Sequence, residues 1–81
     1  MCTTHFKDAV KAMFGGQAAN EFVENAQDFV KHTMNGDTAW ADLDAIGMAA
    51  ATMDMTGDYI AGYAVLDYFL SKLEFNGEAS P

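Results

Sequence analysis

The sequence predicts an all-α protein, a compact antiparallel bundle of four helices in a single domain. Three observations favour this class: apolar residues recur at spacings of three and four, alanine is concentrated in the third periodic segment, and glycine-containing breaks separate the segments. A chain of 81 residues with a hydrophobic fraction of 51% is long enough for one small core. We therefore expect one helical domain over residues 1–75 and a flexible polar tail over 76–81.

The first two predicted helices are amphipathic segments that end at glycine. The first spans 3–14 and is closed by a Gly-Gly pair, because glycine readily adopts the left-handed conformation that ends a helix. The second spans 17–34 and ends at Asn35-Gly36. Its apolar stripe is separate from a polar side, and the acidic residues that share this side are Glu21, Glu24 and Asp28.

The last two predicted helices are joined by a short turn. The third starts after Asp37 or Thr38, either of which can cap the free amides of its first turn. Gly57 suits the position just past its end, and Asp58 can cap the helix that follows. The fourth helix is then expected over about 58–75. Loops this short predict antiparallel neighbours.

The segment 58–70 is apolar nearly all round, and three interpretations are open for the longer stretch 45–70 that contains it. A membrane span is disfavoured because Asp54, Asp58 and Asp67 interrupt the apolar run. A helix that is apolar all round is expected to be buried all round, which predicts that the last helix is the central one. Alternatively, thin helices leave part of the large apolar set exposed as a partner surface; this set is Trp40, Met48, Met55, Tyr59, Tyr63, Tyr68 and Phe69.

The charge of the chain is strongly negative. Twelve Asp and Glu stand against four Lys and no Arg, which gives a net charge of −8. No Lys or Arg occurs between His32 and Ser71. Such a surface repels phosphates and anionic lipid, so the sequence favours a basic protein as partner and disfavours direct binding to nucleic acid or membrane. A single cysteine and the lack of a signal-peptide pattern predict a cytoplasmic protein.

The sequence offers no catalytic or metal-binding constellation, and we expect no enzyme, no cofactor and no metal. The candidate nucleophiles and bases, Cys2, His5, His32, Ser71 and Ser80, show no arrangement typical of a catalytic triad. Cys2 and His5 have a ligand-like spacing but lack the second pair that a zinc site requires. Asp54, Thr56 and Asp58 surround Gly57 without the pattern of a calcium-binding loop.

In size, charge and lack of catalytic groups the chain resembles small acidic proteins of phages and mobile elements that block host defence nucleases. The resemblance is one of type and implies an inhibitor or regulator, similar to DNA mimics, anti-CRISPR or anti-restriction proteins, that occupies a basic nucleic-acid-binding surface. The predicted partner-binding residues are Glu21, Glu24, Asp28, Trp40, Asp42, Asp44 and Tyr59. The alternative is a homo-oligomeric structural or regulatory protein, such as a homodimer, that assembles through the helix 59–70.

Overall fold

The computed structural model describes Asp8, which is helical and exposed, and residues 16–78, with side chains as far as Leu73. This part of the chain contains three α-helices and no strand: α1 (Gly16–Met34), α2 (Thr38–Thr56) and α3 (Tyr59–Glu78). The all-α prediction is therefore confirmed for the described residues. The remainder of the predicted first helix, and residues 79–81 of the predicted tail, lie outside them, so the structure shows three helices where the sequence predicted four.

The turn between α1 and α2 is a helix-ending motif built on Gly36. The Gly36 amide donates to the Thr33 carbonyl at 3.2 Å, and the Asp37 amide donates to the His32 carbonyl at 2.8 Å. These two bonds satisfy carbonyls that the end of α1 leaves free, and they require the positive φ of 79° that Gly36 adopts. The predicted end at Asn35-Gly36 is confirmed, but the Asp37 side chain makes no capping hydrogen bond to α2.

The turn between α2 and α3 follows the predicted sequence of stop and start. Gly57 has a φ of 67°, and its amide donates to the Met53 carbonyl at 2.7 Å. Asp58 caps α3, because its Oδ1 accepts a hydrogen bond of 2.9 Å from the Ile60 amide. The helix α3 continues to Glu78, three residues beyond its predicted end at residue 75.

The middle helix, α2, makes extensive contacts with both other helices. Its buried residues are Ala41, Asp44, Ala45, Met48, Ala49, Ala51 and Thr52. In contrast, Gly62 is the only buried residue of α3 over the described positions 59–73. The prediction that the last helix is central is therefore not confirmed over the described residues. α2 carries small side chains on the sides that meet its neighbours, whereas α3 carries large aromatic residues that remain outside.

Two glycines allow the helices to approach α2 closely. A Cβ at Gly62 would lie 2.5 Å from the Met53 side chain and 3.1 Å from the Ala49 carbonyl oxygen. A Cβ at Gly47 would lie 2.8 Å from the Asn25 side chain of α1. Both contacts are too short for any residue larger than glycine without a shift of the neighbour. α1 and α3 also meet each other, because the Phe29 and Phe69 rings are in edge-on contact at 5.1 Å.

Candidate partner-binding surface

One side of the molecule exposes apolar residues of α2 and α3 together. On α2, Leu43, Ile46 and Ala50 follow each other at spacings of three and four, so they lie on one helix face. All three are exposed, Leu43 at 55% and Ile46 at 49%. On α3, Tyr59 and Tyr63 are one turn apart and exposed at 72% and 60%. We call these five residues the outer surface.

A cleft connects the two parts of the outer surface. It is lined by Ala50, Met53, Asp54, Gly57 and Tyr59 and has a volume of about 350 Å³. Tyr59 therefore borders the α2 face at Ala50. Tyr63 lies one helical turn beyond Tyr59 on α3, so the exposed residues of the two helices form an apolar band whose parts meet at the cleft. An exposed apolar band of this kind commonly marks an interaction site.

The charged residues near this band are acidic. Exposed carboxylates occur along both helices, and they belong to Asp42, Asp54, Asp58 and Asp67. Asp54 lines the cleft itself. Among residues 16–73, the Lys side chains are those of Lys31 on α1 and Lys72 on α3. Lys72 lies over the ring of Tyr68 at 5.3 Å from its centroid. The outer surface is therefore apolar at its centre and anionic at its border, which is the usual division between the core and the rim of an interface.

On the opposite side of α2, a histidine and a carboxylate join α1 to α2. His32 Nδ1 lies 2.6 Å from Asp44 Oδ2, and the two side chains are exposed at only 26% and 11%. The Trp40 ring lies 6.1 Å from the His32 ring at a tilt of 30°. No sequence pattern indicates that His32 and Asp44 pair, because they are 12 residues apart on different helices. The contact holds the end of α1 against the start of α2.

The seven predicted partner-binding residues do not form one cluster. Glu24 is exposed on α1, whereas Glu21 and Asp28 are half-buried on the same helix, and Glu21 accepts a hydrogen bond of 3.1 Å from Gln17. Trp40 and Asp42 are exposed near the start of α2. Tyr59 is exposed at the start of α3.

Asp44 differs from the other predicted residues because it is buried. Its carboxylate is bonded to His32, so it is not presented to a partner. Asp44 is therefore not part of the candidate surface. The two aromatic residues of the predicted set, Trp40 and Tyr59, are exposed at 61% and 72% and remain available for contact.

Leu43, Ile46 and Ala50 were not predicted as surface residues from the sequence. The stretch around them is apolar on every face, so periodicity could not identify the exposed one. Asp54 was also absent from the predicted partner-binding residues, although its position could have indicated it. An acidic residue one turn before Gly57 must lie near the helix end and the following turn.

The described residues contain no group of three or more His, Cys, Asp or Glu side chains arranged to hold a metal ion. Over the same part of the chain, no helix combines the length and the apolar character needed to cross a lipid bilayer. Comparison of the chain with protein-family models, with curated proteins and with solved structures found no match. Any functional conclusion therefore depends on the outer surface and its charges.

Proposed function

We propose that this protein is a small acidic, non-catalytic binding protein that docks through the outer surface onto a basic surface of a partner protein. The observation that supports the proposal is the apolar band of α2 and α3 with carboxylates at its border. Aromatic residues are frequent energetic anchors of interfaces, and Tyr59 and Tyr63 supply two of them here. Leu43 and Ile46 add apolar area that a partner can remove from water.

The charge of the chain supports a cationic partner. From His32 to Ser71 the sequence contains no Lys or Arg, and this stretch includes all of the outer surface. A negative field over an apolar patch accelerates encounter with a positive partner and opposes association with a negative one. Clusters of Lys and Arg are the surfaces that bind nucleic acid. We therefore propose an inhibitor or regulator that covers such a cluster, comparable in type to anti-defence proteins of phages and mobile elements.

The test begins with affinity capture from the native host and continues with the purified captured protein. This protein is loaded with a fluorescent DNA or RNA duplex, and the chain is added in increasing amounts. We expect release of the duplex, with a stronger effect at low salt, because the two acidic ligands compete for one basic surface. A captured protein that keeps its duplex at saturating amounts of the chain contradicts the inhibitory function.

Charge reversal locates the binding face. Asp42→Lys changes an exposed carboxylate beside the outer surface, whereas Glu24→Lys makes the same change on α1. We expect Asp42→Lys to slow association with the partner and Glu24→Lys to have the smaller effect, since rim charges act mainly on the association rate. Equal slowing by the two variants would show that binding depends on net charge and not on the outer surface.

The second candidate function is a homo-oligomeric structural or regulatory protein that assembles through the helix 59–70. The exposure of Tyr59, Ile60 and Tyr63 on this helix favours it. The net charge of −8 on each copy opposes it, because two such chains repel each other. Light scattering at micromolar concentration and a pulldown separate the two candidates. A dimer that dissociates on Tyr63→Glu supports self-assembly, and a monomer that captures a basic partner, with binding weakened by raised salt, supports docking.

A further inference from the structure

The cleft where α2 ends and α3 begins combines apolar walls with one unpaired carboxylate. The apolar residues that line it are Ala50, Met53 and Tyr59. Asp54 is exposed and makes no hydrogen bond or ion pair with any residue of the described part of the chain. Among the described residues, it is the only charged one that lines the cleft. The cleft is therefore suited to a group that is apolar along its length and positive at its end.

The turn that carries the cleft is fixed by its own hydrogen bonds. The Thr56 hydroxyl donates to the Thr52 carbonyl at 2.7 Å and accepts from the Asp58 amide at 3.1 Å. The Asp58 carboxylate caps α3 by accepting from the Ile60 amide. The Asp58 carboxylate is thus already engaged, and Asp54 is left as the free acceptor. Because the walls are held before any ligand arrives, little ordering is needed on binding.

Tyr68 and Tyr59, both on α3, differ in whether a cation lies over their aromatic ring. Tyr68 has the ammonium group of Lys72 at 5.3 Å from its ring centroid, so this ring is already occupied. Tyr59 is 72% exposed and has no cation from the described residues over its ring. A cation above an aromatic face is attracted by the ring, and the attraction increases where water is partly excluded. Tyr59 beside Asp54 therefore offers a second element of cation recognition.

We propose that this cleft receives the side chain of an arginine from the basic partner. The inference rests on the proposed function and deepens it by naming the group that is recognised. A guanidinium group is planar and weakly hydrated, so it can stack on Tyr59 while it donates to the Asp54 carboxylate. The methylene groups of the arginine then cover Ala50 and Met53. A lysine matches the charge but lacks the planar group that stacks on the ring.

The direct test is an NMR titration of the ¹⁵N-labelled chain with N-acetyl-arginine amide. The matched probes are N-acetyl-lysine amide and N-acetyl-citrulline amide, the second having nearly the shape of arginine without its charge. We expect the arginine probe to shift the amide signals of Asp54, Gly57 and Tyr59 with a dissociation constant on the order of millimolar. The lysine probe should bind more weakly, and the citrulline probe should not shift these signals. Equal shifts from arginine and citrulline overturn the proposal.

Two variants test the role of the carboxylate. Asp54→Asn should weaken binding of the arginine probe about fivefold, which is the loss expected for one partly exposed ion pair. Asp67→Asn makes the same change in net charge on an exposed residue outside the cleft and should leave binding within about twofold. Equal effects of the two variants overturn the proposal. Undisturbed chemical shifts elsewhere in each spectrum show that the variant is folded.

A third variant tests the ring. Tyr59→Leu keeps an apolar side chain at an exposed position but removes the aromatic face. We expect the preference for the arginine probe over the lysine probe to disappear, and a preference that persists overturns the stacking role of Tyr59.

The cleft proposal and the proposed function fail in different ways. If Asp54→Asn leaves capture of the basic partner unchanged while Asp42→Lys weakens it, the docking function is supported and the arginine cleft is overturned. If the arginine probe binds in the cleft but the captured partner keeps its nucleic acid, the cleft is supported and the inhibitory function fails.

Discussion

The two sides of α2 use apolar residues in opposite ways. On the inner side, Ala41, Ala45 and Met48 are fully buried against α1 and α3. On the outer side, Leu43 and Ile46 are half exposed, although their side chains are more apolar than alanine. Burial on this helix therefore does not follow hydrophobicity. Residues of α2 are buried on the side where small side chains allow the neighbouring helices to approach. The large apolar residues on the other side remain exposed and are available to a partner.

The largest effect that this contrast predicts comes from Met48→Ala. Met48 is 0% exposed, so the substitution opens a cavity that the surrounding helices fill only in part. We expect the free energy of unfolding to fall by about 2–5 kcal/mol. Urea denaturation followed by circular dichroism measures the change. The matched control is Met34→Ala, since Met34 is 81% exposed and should change stability by no more than about 0.5 kcal/mol. Equal losses in the two variants would contradict the assignment of Met48 to the core and of Met34 to the surface.

The next effect concerns the contact between α1 and α2. His32→Ala leaves the Asp44 carboxylate, which is 11% exposed, without its partner. Loss of a hydrogen bond to a largely buried charge should lower the free energy of unfolding by about 1–3 kcal/mol. The neighbouring exposed Lys31→Ala serves as control and should have an effect below about 0.5 kcal/mol. In the double variant His32→Ala/Asp44→Ala, the loss of unfolding free energy should be smaller than the sum of the two single losses. A loss equal to that sum would show that the two residues are not coupled.

A smaller effect is expected at the close approach of α3 to α2. Gly62→Ala places a methyl group against Met53 and the Ala49 carbonyl, at a cost of about 1–3 kcal/mol. The higher helix propensity of alanine offsets about 1 kcal/mol of this cost, so we expect a net loss of about 1 kcal/mol. Met53→Ala removes the side chain that clashes. A double-mutant cycle should therefore show that Gly62→Ala is tolerated better in the Met53→Ala background, and additive losses would argue against this contact.

The smallest effect on stability is expected on the outer surface. Ile46→Ser changes a residue that is 49% exposed, so stability should stay within about 0.5 kcal/mol of the parent. Binding to the basic partner should nevertheless weaken, because the apolar centre of the proposed interface is reduced. Val30→Ser, at a residue of α1 that is 56% exposed, should change neither stability nor binding. Calorimetric titration against the partner distinguishes the two variants, and equal binding would place the interface elsewhere.

The helices and the turns between them could be predicted from the sequence because they depend on interactions between residues that are close in the chain. The predicted helix over 17–34 differs by one residue from α1, and the turn at Gly57 and Asp58 forms with the expected cap. These features depend on glycine and on a carboxylate at a helix start, and both act over a few residues. The Asp37 side chain shows the limit of such rules, since it precedes α2 without capping it.

The arrangement of the helices and the candidate site depend on contacts between distant residues, which the sequence pattern does not encode directly. α2 and α3 are both apolar nearly all round, so periodicity could not indicate which one lies between neighbours. Gly47 and Gly62 could be recognised as close-approach positions, but Gly47 meets Asn25 of α1 and not the helix that follows it. Asp44 was grouped with the exposed carboxylates because nothing local indicates that His32 lies 2.6 Å away.

The edge-on contact between Phe29 and Phe69 has a consequence for the order in which the chain folds. α1 and α2 can pair as a hairpin through contacts that are close in sequence, but Phe29 then still lacks the ring that covers it. The core closes only when α3 docks, so a chain that ends before α3 should form a loosely packed hairpin that proteases cleave readily.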